Sequence, residues 1–218
     1  MKREQNNRKR YVWRRPAERG DALILIGMPG CGKSTLGKRL ARRYQKPFID
    51  VDDVLSAQEG RSVADLAASL PYRDFVRKES RAVCSIKDSK AIIATGGSVI
   101  YSPKSMEHLS RLGTIVYLQK PHKETRRRVG DPRKRGIVIP PRETYRTYQT
   151  QRHRLYRRYA DIIYETANTT VFQSLIYLQA LLEFVDPDTF VVKPSRQQGK
   201  PRPRRNRSRQ SGSDNRQG

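Results

Sequence analysis

Residues Ala22–Thr35 read ALILIGMPGCGKST, and this stretch decides the fold. Its first five residues are all apolar and are followed at once by glycine. So short a run, unbroken by polar residues, marks a strand buried on both faces, as in a parallel sheet. Gly27–Ser34 then fits the spacing G-x-x-x-x-G-K-[ST]. Beyond it Leu36, Leu40 and Tyr44 recur at helical spacing, which predicts a helix over Ser34–Tyr44. In this strand–loop–helix unit, Gly27, Gly30 and Gly32 let the backbone curl until several N–H groups converge. The helix N-terminus adds a partial positive charge to the same spot.

Such a cradle binds phosphate. In it Lys33 is placed to reach the β- and γ-phosphates of a nucleoside triphosphate such as ATP. The Ser34 hydroxyl is placed to ligate Mg²⁺, and Thr35 to touch the α-phosphate.

Outward from the loop, short apolar runs alternate with helical patterns. KPFID (46–50) predicts a second strand, and a helix over Asp52–Gln58 ends at Gly60. Ser62, with Asp65 three residues on, reads as a helix cap. SKAIIATGG (89–97) and GTIVYLQK (113–120) predict strands three and four, and DIIYET (161–166) the fifth. Between the last two lies a long basic helix with tyrosines, and Thr170 caps a final helix that turns Val171, Leu175, Leu178 and Leu182 inward. The alternation predicts an α/β fold, a three-layer parallel sheet of about five strands with helices on both faces. Ligands of such sheets sit at the carboxyl ends of the strands. The glycine loop, the acids of FIDVDD and the pair Gly96–Gly97 all fall there.

Net charge is +25, and it is concentrated at the ends. Residues 1–20 read as a basic arm, 21–185 as one folded domain and 186–218 as a basic tail too poor in apolar residues to offset its ordering entropy. The basic ends suggest weak, sequence-independent contact with nucleic acid. Two cysteines, Cys31 and Cys84, build no disulfide framework and read as small buried side chains, which points to a reducing cytoplasm. No apolar run approaches the ~20 residues that span a bilayer, so no membrane contact is expected. Nothing in the pattern calls for an oligomer. His108, His122 and His153 show no metal-ligand spacing.

Asp50 and Asp52 end the second strand two residues apart. Alternation along an extended chain would put both on one side, beside the cradle. One could hold Mg²⁺ and the other accept the proton of an acceptor hydroxyl, with Asp53 as a bystander. Pro121–Pro141 is charged, shows no apolar face and is framed by prolines, as expected of a cationic lid that closes over a transferring phosphoryl group.

Taken together, LIGMPGCGKSTLGKRLA, FIDVDDVLSAQEGRSVADL, AIIATGGSV and RHRLYRRYAD resemble the shikimate kinases, P-loop kinases of the nucleoside-monophosphate-kinase-like group, over about residues 22–185. The resemblance implies that Asp50 serves magnesium and Asp52 the acceptor hydroxyl, and that Gly96 and Gly97 line the acceptor pocket. It also implies that the lid residue Arg135 reaches the phosphates, that Arg152 grips the acceptor carboxylate, and that Arg128 stacks near the adenine. The implied activity is ATP- and Mg²⁺-dependent phosphorylation of a hydroxyl on a small carboxylated metabolite, with shikimate as the default acceptor. Two positions depart from the family pattern. Val76 stands where the family carries a second carboxylate-clamping arginine, with Arg73 and Arg77 nearby, and Ser98 replaces a third glycine. A missing charge-assisted bond of this kind weakens acceptor binding about ten- to a hundredfold. A smaller hydroxy acid or amino acid such as homoserine is therefore an alternative acceptor. From a different class comes a nucleic-acid-binding or polynucleotide-phosphorylating P-loop protein.

Overall fold

β1 (Ala22–Ile26) lies at the centre of a five-stranded sheet, and none of its five side chains reaches solvent. The computed structural model describes residues 18–130, 137, 145–186 and 188–190. Its strands run in the order β2 (Phe48–Asp50), β3 (Ile92–Ala94), β1, β4 (Gly113–Gln119) and β5 (Ile162–Glu165). Every neighbouring pair is parallel, and Ile24 pairs with Ile93 on one side and Ile115 on the other. The described helices are α1 (Lys33–Tyr44), α2 (Val51–Glu59), α3 (Val63–Ser69), α4 (Tyr72–Ser85), α5 (Pro103–Leu112), α6 (His122–Val129), α7 (Tyr145–Tyr159) and α8 (Val171–Val185).

The period-two alternation of a strand divides the core into layers. Ala22, Ile24 and Ile26 pack with Val83 of α4, Met106 and Leu109 of α5, and Tyr148 and Tyr156 of α7. Leu23 and Leu25 pack on the other face with Leu36 and Leu40 of α1 and Leu178 and Leu182 of α8. Each such aliphatic side chain, fully buried, contributes about 1.5–3 kcal/mol. A smaller cluster of Leu55, Leu66, Phe75 and Ala82 joins α2, α3 and α4. The expected three-layer α/β architecture with helices on both faces is thus the one observed.

The capping signals act as read. The Ser62 hydroxyl accepts from the Asp65 N–H, and Thr170 and Gln173 form a reciprocal capping box. Two helices carried signals that the strand-centred reading passed over. α5 starts with Ser102 as its cap and Pro103 in its first turn, and α4 follows Pro71. The absence of an apolar face in 121–141 is corrected for its first part. There α6 buries Thr125 and Val129, and a Cβ on Gly30 would meet Val129 Cγ2 at 3.2 Å.

The packed unit also reaches beyond the expected limits of 21 and 185. Arg19 forms a 2.9 Å ion pair with Asp161, which in turn accepts from the Ile115 N–H. Phe190 is fully buried, with its ring 5.5 Å from that of Tyr44. Most of the arm and tail, and Arg135 with nearly all of its neighbours in 131–144, lie outside the described residues. None of the helices among the described residues is long and apolar enough to cross a membrane.

Candidate functional site

At the carboxyl ends of β1 and β3 opens a cavity of about 540 Å³. This is where the strand order reverses about β1, with β3 on one side and β4 on the other. The phosphate loop forms one end of it. Backbone φ angles of 78° at Gly30 and 106° at Gly32 lie in the left-handed region, which L side chains rarely adopt, and they curl the chain into the start of α1. Lys33 is the first residue of α1, and its ammonium donates to the carbonyls of Gly27 (2.9 Å) and Met28 (3.2 Å). Ser34 and Thr35 line the cavity beside it. Arg128, in the last turn of α6, borders both this cavity and a small recess lined by Thr35, Lys120 and Thr166.

The two acids meet the loop differently from the expectation. The chain is not extended through both. Asp50 closes β2 and is the N-cap of α2, its carboxylate accepting from the Asp52 N–H at 3.2 Å, while Asp52 lies in the first helical turn. Asp52 lines the cavity and Asp50 does not. The capping bond occupies one Asp50 oxygen and holds the other acid at the cavity wall. Asp52 is open to the cavity, yet the surrounding protein raises its pKa by desolvation. Asp50 adds to the rise and Lys33 opposes it. Asp53 is exposed.

The acceptor end is built around the turn after β3. Thr95 donates to the Leu25 carbonyl at 3.1 Å, and the Tyr156 hydroxyl donates to the Gly97 carbonyl at 2.7 Å, so β1 and α7 fix the turn from two sides. Both glycines are required by close approach. A Cβ on Gly96 would collide with Glu79 Oε1 and lie 3.2 Å from Asp52 Oδ1. One on Gly97 would stand 2.7 Å from Arg152 Nη1. Arg152 is buried, 2% exposed, with its guanidinium 3.9 Å from the Tyr148 ring centroid and its Nε 3.4 Å from the Tyr101 hydroxyl. Among the described residues no carboxylate lies in ion-pair range of it.

Glu79 is the residue that the sequence reading missed. It is 2% exposed, lines the cavity, and has one carboxylate oxygen, Oε2, buried without a hydrogen-bond partner. Burial pushes its carboxyl up to about 7. Hydrogen bonding from the Ser98 side chain opposes the rise, Asp52 adds to it, and Arg152 and Lys33 oppose it. Phe75, Glu79, Ala82 and Val83 form the buried stripe of α4, and Glu79 is the one acid in it.

The departures noted in the sequence take definite places. Val76, Arg73 and Arg77 open onto an outer groove between α4 and the Tyr101–Lys104 segment, not onto the cavity, and Arg77 pairs with Asp74 at 3.0 Å. Ser98 is buried at the cavity wall. Cys31 is buried, but Cys84 is only half-buried, which corrects its reading as a buried side chain. Tyr148, Tyr156 and Tyr159 pack into the core. His122 and His153, far apart in sequence, meet with ring centroids 4.7 Å apart, and burial pushes His153 down to about 4, with His122 and Arg157 adding to the fall. Among the described residues no group of three or more His, Cys, Asp or Glu is arranged to hold a metal.

The family model described as shikimate kinase matches residues 29–193. A shikimate kinase of Mycobacterium ulcerans is 32% identical over 169 residues, covering 76% of this chain and 91% of that protein. One of Mycobacterium avium is 36% identical over 146 residues, covering 66% and 82%. Among solved structures, shikimate kinase from Aquifex aeolicus superposes with a TM-score of 0.64 at 24% identity, covering 74% of this chain and 96% of that one. The Acinetobacter baumannii enzyme in complex with shikimate gives 0.62 at 24% identity, covering 75% and 92%.

Proposed function

The chain belongs to the shikimate kinase family, and we propose how its own residues carry the reaction that this membership brings. It is an ATP-dependent small-molecule kinase that uses Mg²⁺. The acceptor is a small molecule with a hydroxyl and a carboxylate, shikimate in the first instance. The observation that carries the assignment of roles is the one cavity with Lys33, Ser34 and Thr35 at one end and Asp52, Gly96, Gly97 and Arg152 at the other.

The curled loop from Gly27 to Gly32, with Thr35, holds the triphosphate through main-chain N–H groups and a hydroxyl, and Lys33 turns from the loop carbonyls to the β- and γ-phosphates. Arg128, at the phosphate end of the cavity, would meet the nucleotide there, and the role proposed for Arg135 is to reach the phosphates. The Ser34 hydroxyl suits a hard cation with oxygen ligands, and Asp50, which lies behind the cavity wall, would serve that cation through water. When bound, Mg²⁺ neutralises charge on the phosphates. Arg152 takes the acceptor carboxylate through two parallel N–H donors. Gly96 and Gly97 let Glu79 and Arg152 pack close on the turn that lines the acceptor pocket, and Asp52 orients the acceptor hydroxyl and accepts the proton as oxygen attacks the γ-phosphorus.

The proposed roles call for no residue of a second chain, and the protein is read as a monomer in this reaction. Weak contact of the basic ends with nucleic acid would be separate from it and should fade as salt rises in an RNA-binding series on the full-length protein. The test of the main reading is ADP release by the full-length protein with ATP, Mg²⁺ and shikimate. Turnover is expected. Bound ATP with no turnover on shikimate or on any small hydroxylated acid would overturn the reading.

A further inference from the structure

The acceptor end of the cavity holds a charge that the reaction described above leaves unused. Asp52 serves the hydroxyl and Arg152 the carboxylate, but Glu79 lines the same cavity, buried and, among the described residues, without an ion-pair partner and with Oε2 unbonded. A buried carboxylate without a cation or a full set of donors is costly, and a fold keeps one where something arrives to meet it. Among the described residues no cation lining this cavity forms an ion pair with Glu79. Lys33 is held by the Gly27 and Met28 carbonyls, Arg128 stands at the phosphate end, and Arg152 lies against the Tyr148 ring. On α4 itself, Arg73 and Arg77 point to the outer groove, and Lys78 pairs with Glu59.

We propose that this site also takes hydroxy amino acids in their zwitterionic form, with the ammonium on Glu79, the carboxylate on Arg152 and the hydroxyl on Asp52. The inference rests on the kinase reading and extends its acceptor class. Three features of the cavity fit such a molecule. The opposed charges of Arg152 and Glu79 match those of an amino acid, whereas a hydroxy acid without the amine leaves the Glu79 charge unanswered. Gly96, without a side chain, lets Glu79 Oε1 pack against its backbone, and the missing Cβ would lie 3.2 Å from Asp52 Oδ1, so the two carboxylates stand close enough for a short chain carrying an amine and a hydroxyl to span. Glu79 lines the cavity together with Asp52 and Arg152, so the three charged groups border the same space. An arriving ammonium would hold the carboxyl ionised, against the burial that otherwise favours its proton. The transfer balances as before. The acceptor O–P bond forms, the bond from the γ-phosphorus to its bridging oxygen breaks, ADP leaves, and the hydroxyl proton passes to Asp52.

The test compares L-homoserine with 4-hydroxybutyrate, the same skeleton without the amine, using full-length protein, ATP and Mg²⁺, with shikimate as a third acceptor. Homoserine should be phosphorylated with kcat/KM about ten- to a hundredfold above 4-hydroxybutyrate, the worth of one charge-assisted bond. Glu79→Gln, which keeps size and removes charge, should erase most of that ratio through KM for homoserine while ATP affinity stays as in the parent. Equal rates on the matched pair, or an unchanged ratio in the variant, would overturn the inference. So would turnover of shikimate without turnover of homoserine, and this result leaves the kinase reading standing. Silence on all three acceptors with ATP bound removes the kinase reading and this inference with it. The acceptor pair needs no variant, so it decides the matter even if Glu79→Gln folds poorly.

Discussion

The two ends of the cavity are built by opposite means. The phosphate end comes from one continuous stretch, Gly27–Thr35, and its binding groups are mainly backbone N–H groups shaped by φ angles at glycines. The acceptor end comes from side chains on α2, α4 and α7 that meet over the turn after β3, with Asp52 and Arg152 a hundred residues apart. A main-chain site tolerates changes in its surroundings because every residue type carries the same N–H. A side-chain site changes its preference with a single substitution. The catalysed transfer is therefore the stable property of this fold, and the acceptor the variable one.

The sharpest way to break that comparison is at Lys33. Among the described residues its side chain bonds only its own loop, so Lys33→Ala should leave the fold intact. Loss of one preorganised cation at the transferring phosphoryl group should lower kcat roughly a thousandfold. Turnover near the parent level would detach the loop from the chemistry. Next comes Asp52→Asn, which should reduce kcat by roughly a hundredfold through loss of the proton acceptor. The affinity for ATP should hardly change. If ATP affinity fell as far as kcat, the two ends would not be separable. Arg152→Lys sharpens the comparison from the other side. It keeps the charge but loses the planar fork over Tyr148, and should raise KM for a carboxylated acceptor about ten- to a hundredfold with a smaller change in kcat. An unchanged KM would place the acceptor carboxylate elsewhere.

The same division governs what could be read in advance. The phosphate loop, the five strands and the Thr170 cap announce themselves over a few consecutive residues, because local backbone geometry selects glycine, aliphatic runs and capping hydroxyls. Asp50 and Asp52 were found for a reason the structure revises. Their placement depends on a helix starting at Val51, not on strand alternation. Gly96, Gly97 and Arg152 were reached through resemblance, and the physical reason for the glycines, the approach of Glu79 and Arg152, exists only once α4 and α7 pack on the turn. Glu79 was passed over because an acid within an apolar stripe looks like an exposed position until the neighbouring cluster of Leu55, Leu66 and Phe75 covers that face. Burial is a property of packing, and single-residue patterns do not carry it.

The smallest effect is also the one that separates the two ends without any substrate. Glu79 titrates at about 7 in the folded chain against an ordinary 4.5, chiefly because of burial. The folded state therefore holds this proton more tightly than the unfolded state. The favourable contribution of the protonated group is fully present below about pH 4.5 and is lost as pH rises through 7, where an unpaired carboxylate must be buried. That shift corresponds to at most about 3 kcal/mol, less whatever cavity water relieves. Glu79→Gln removes the titration. Relative to the parent, the variant should gain nothing near pH 4.5 and should melt higher by up to roughly 5–10 °C at pH 8, as thermal unfolding across pH would measure. The same substitution weakens the proposed ammonium site, so stability and acceptor binding should move in opposite directions. A difference in melting temperature that did not vary with pH would mean that Glu79 is not a desolvated carboxylate, and the acceptor end would lose the charge that sets it apart from the loop.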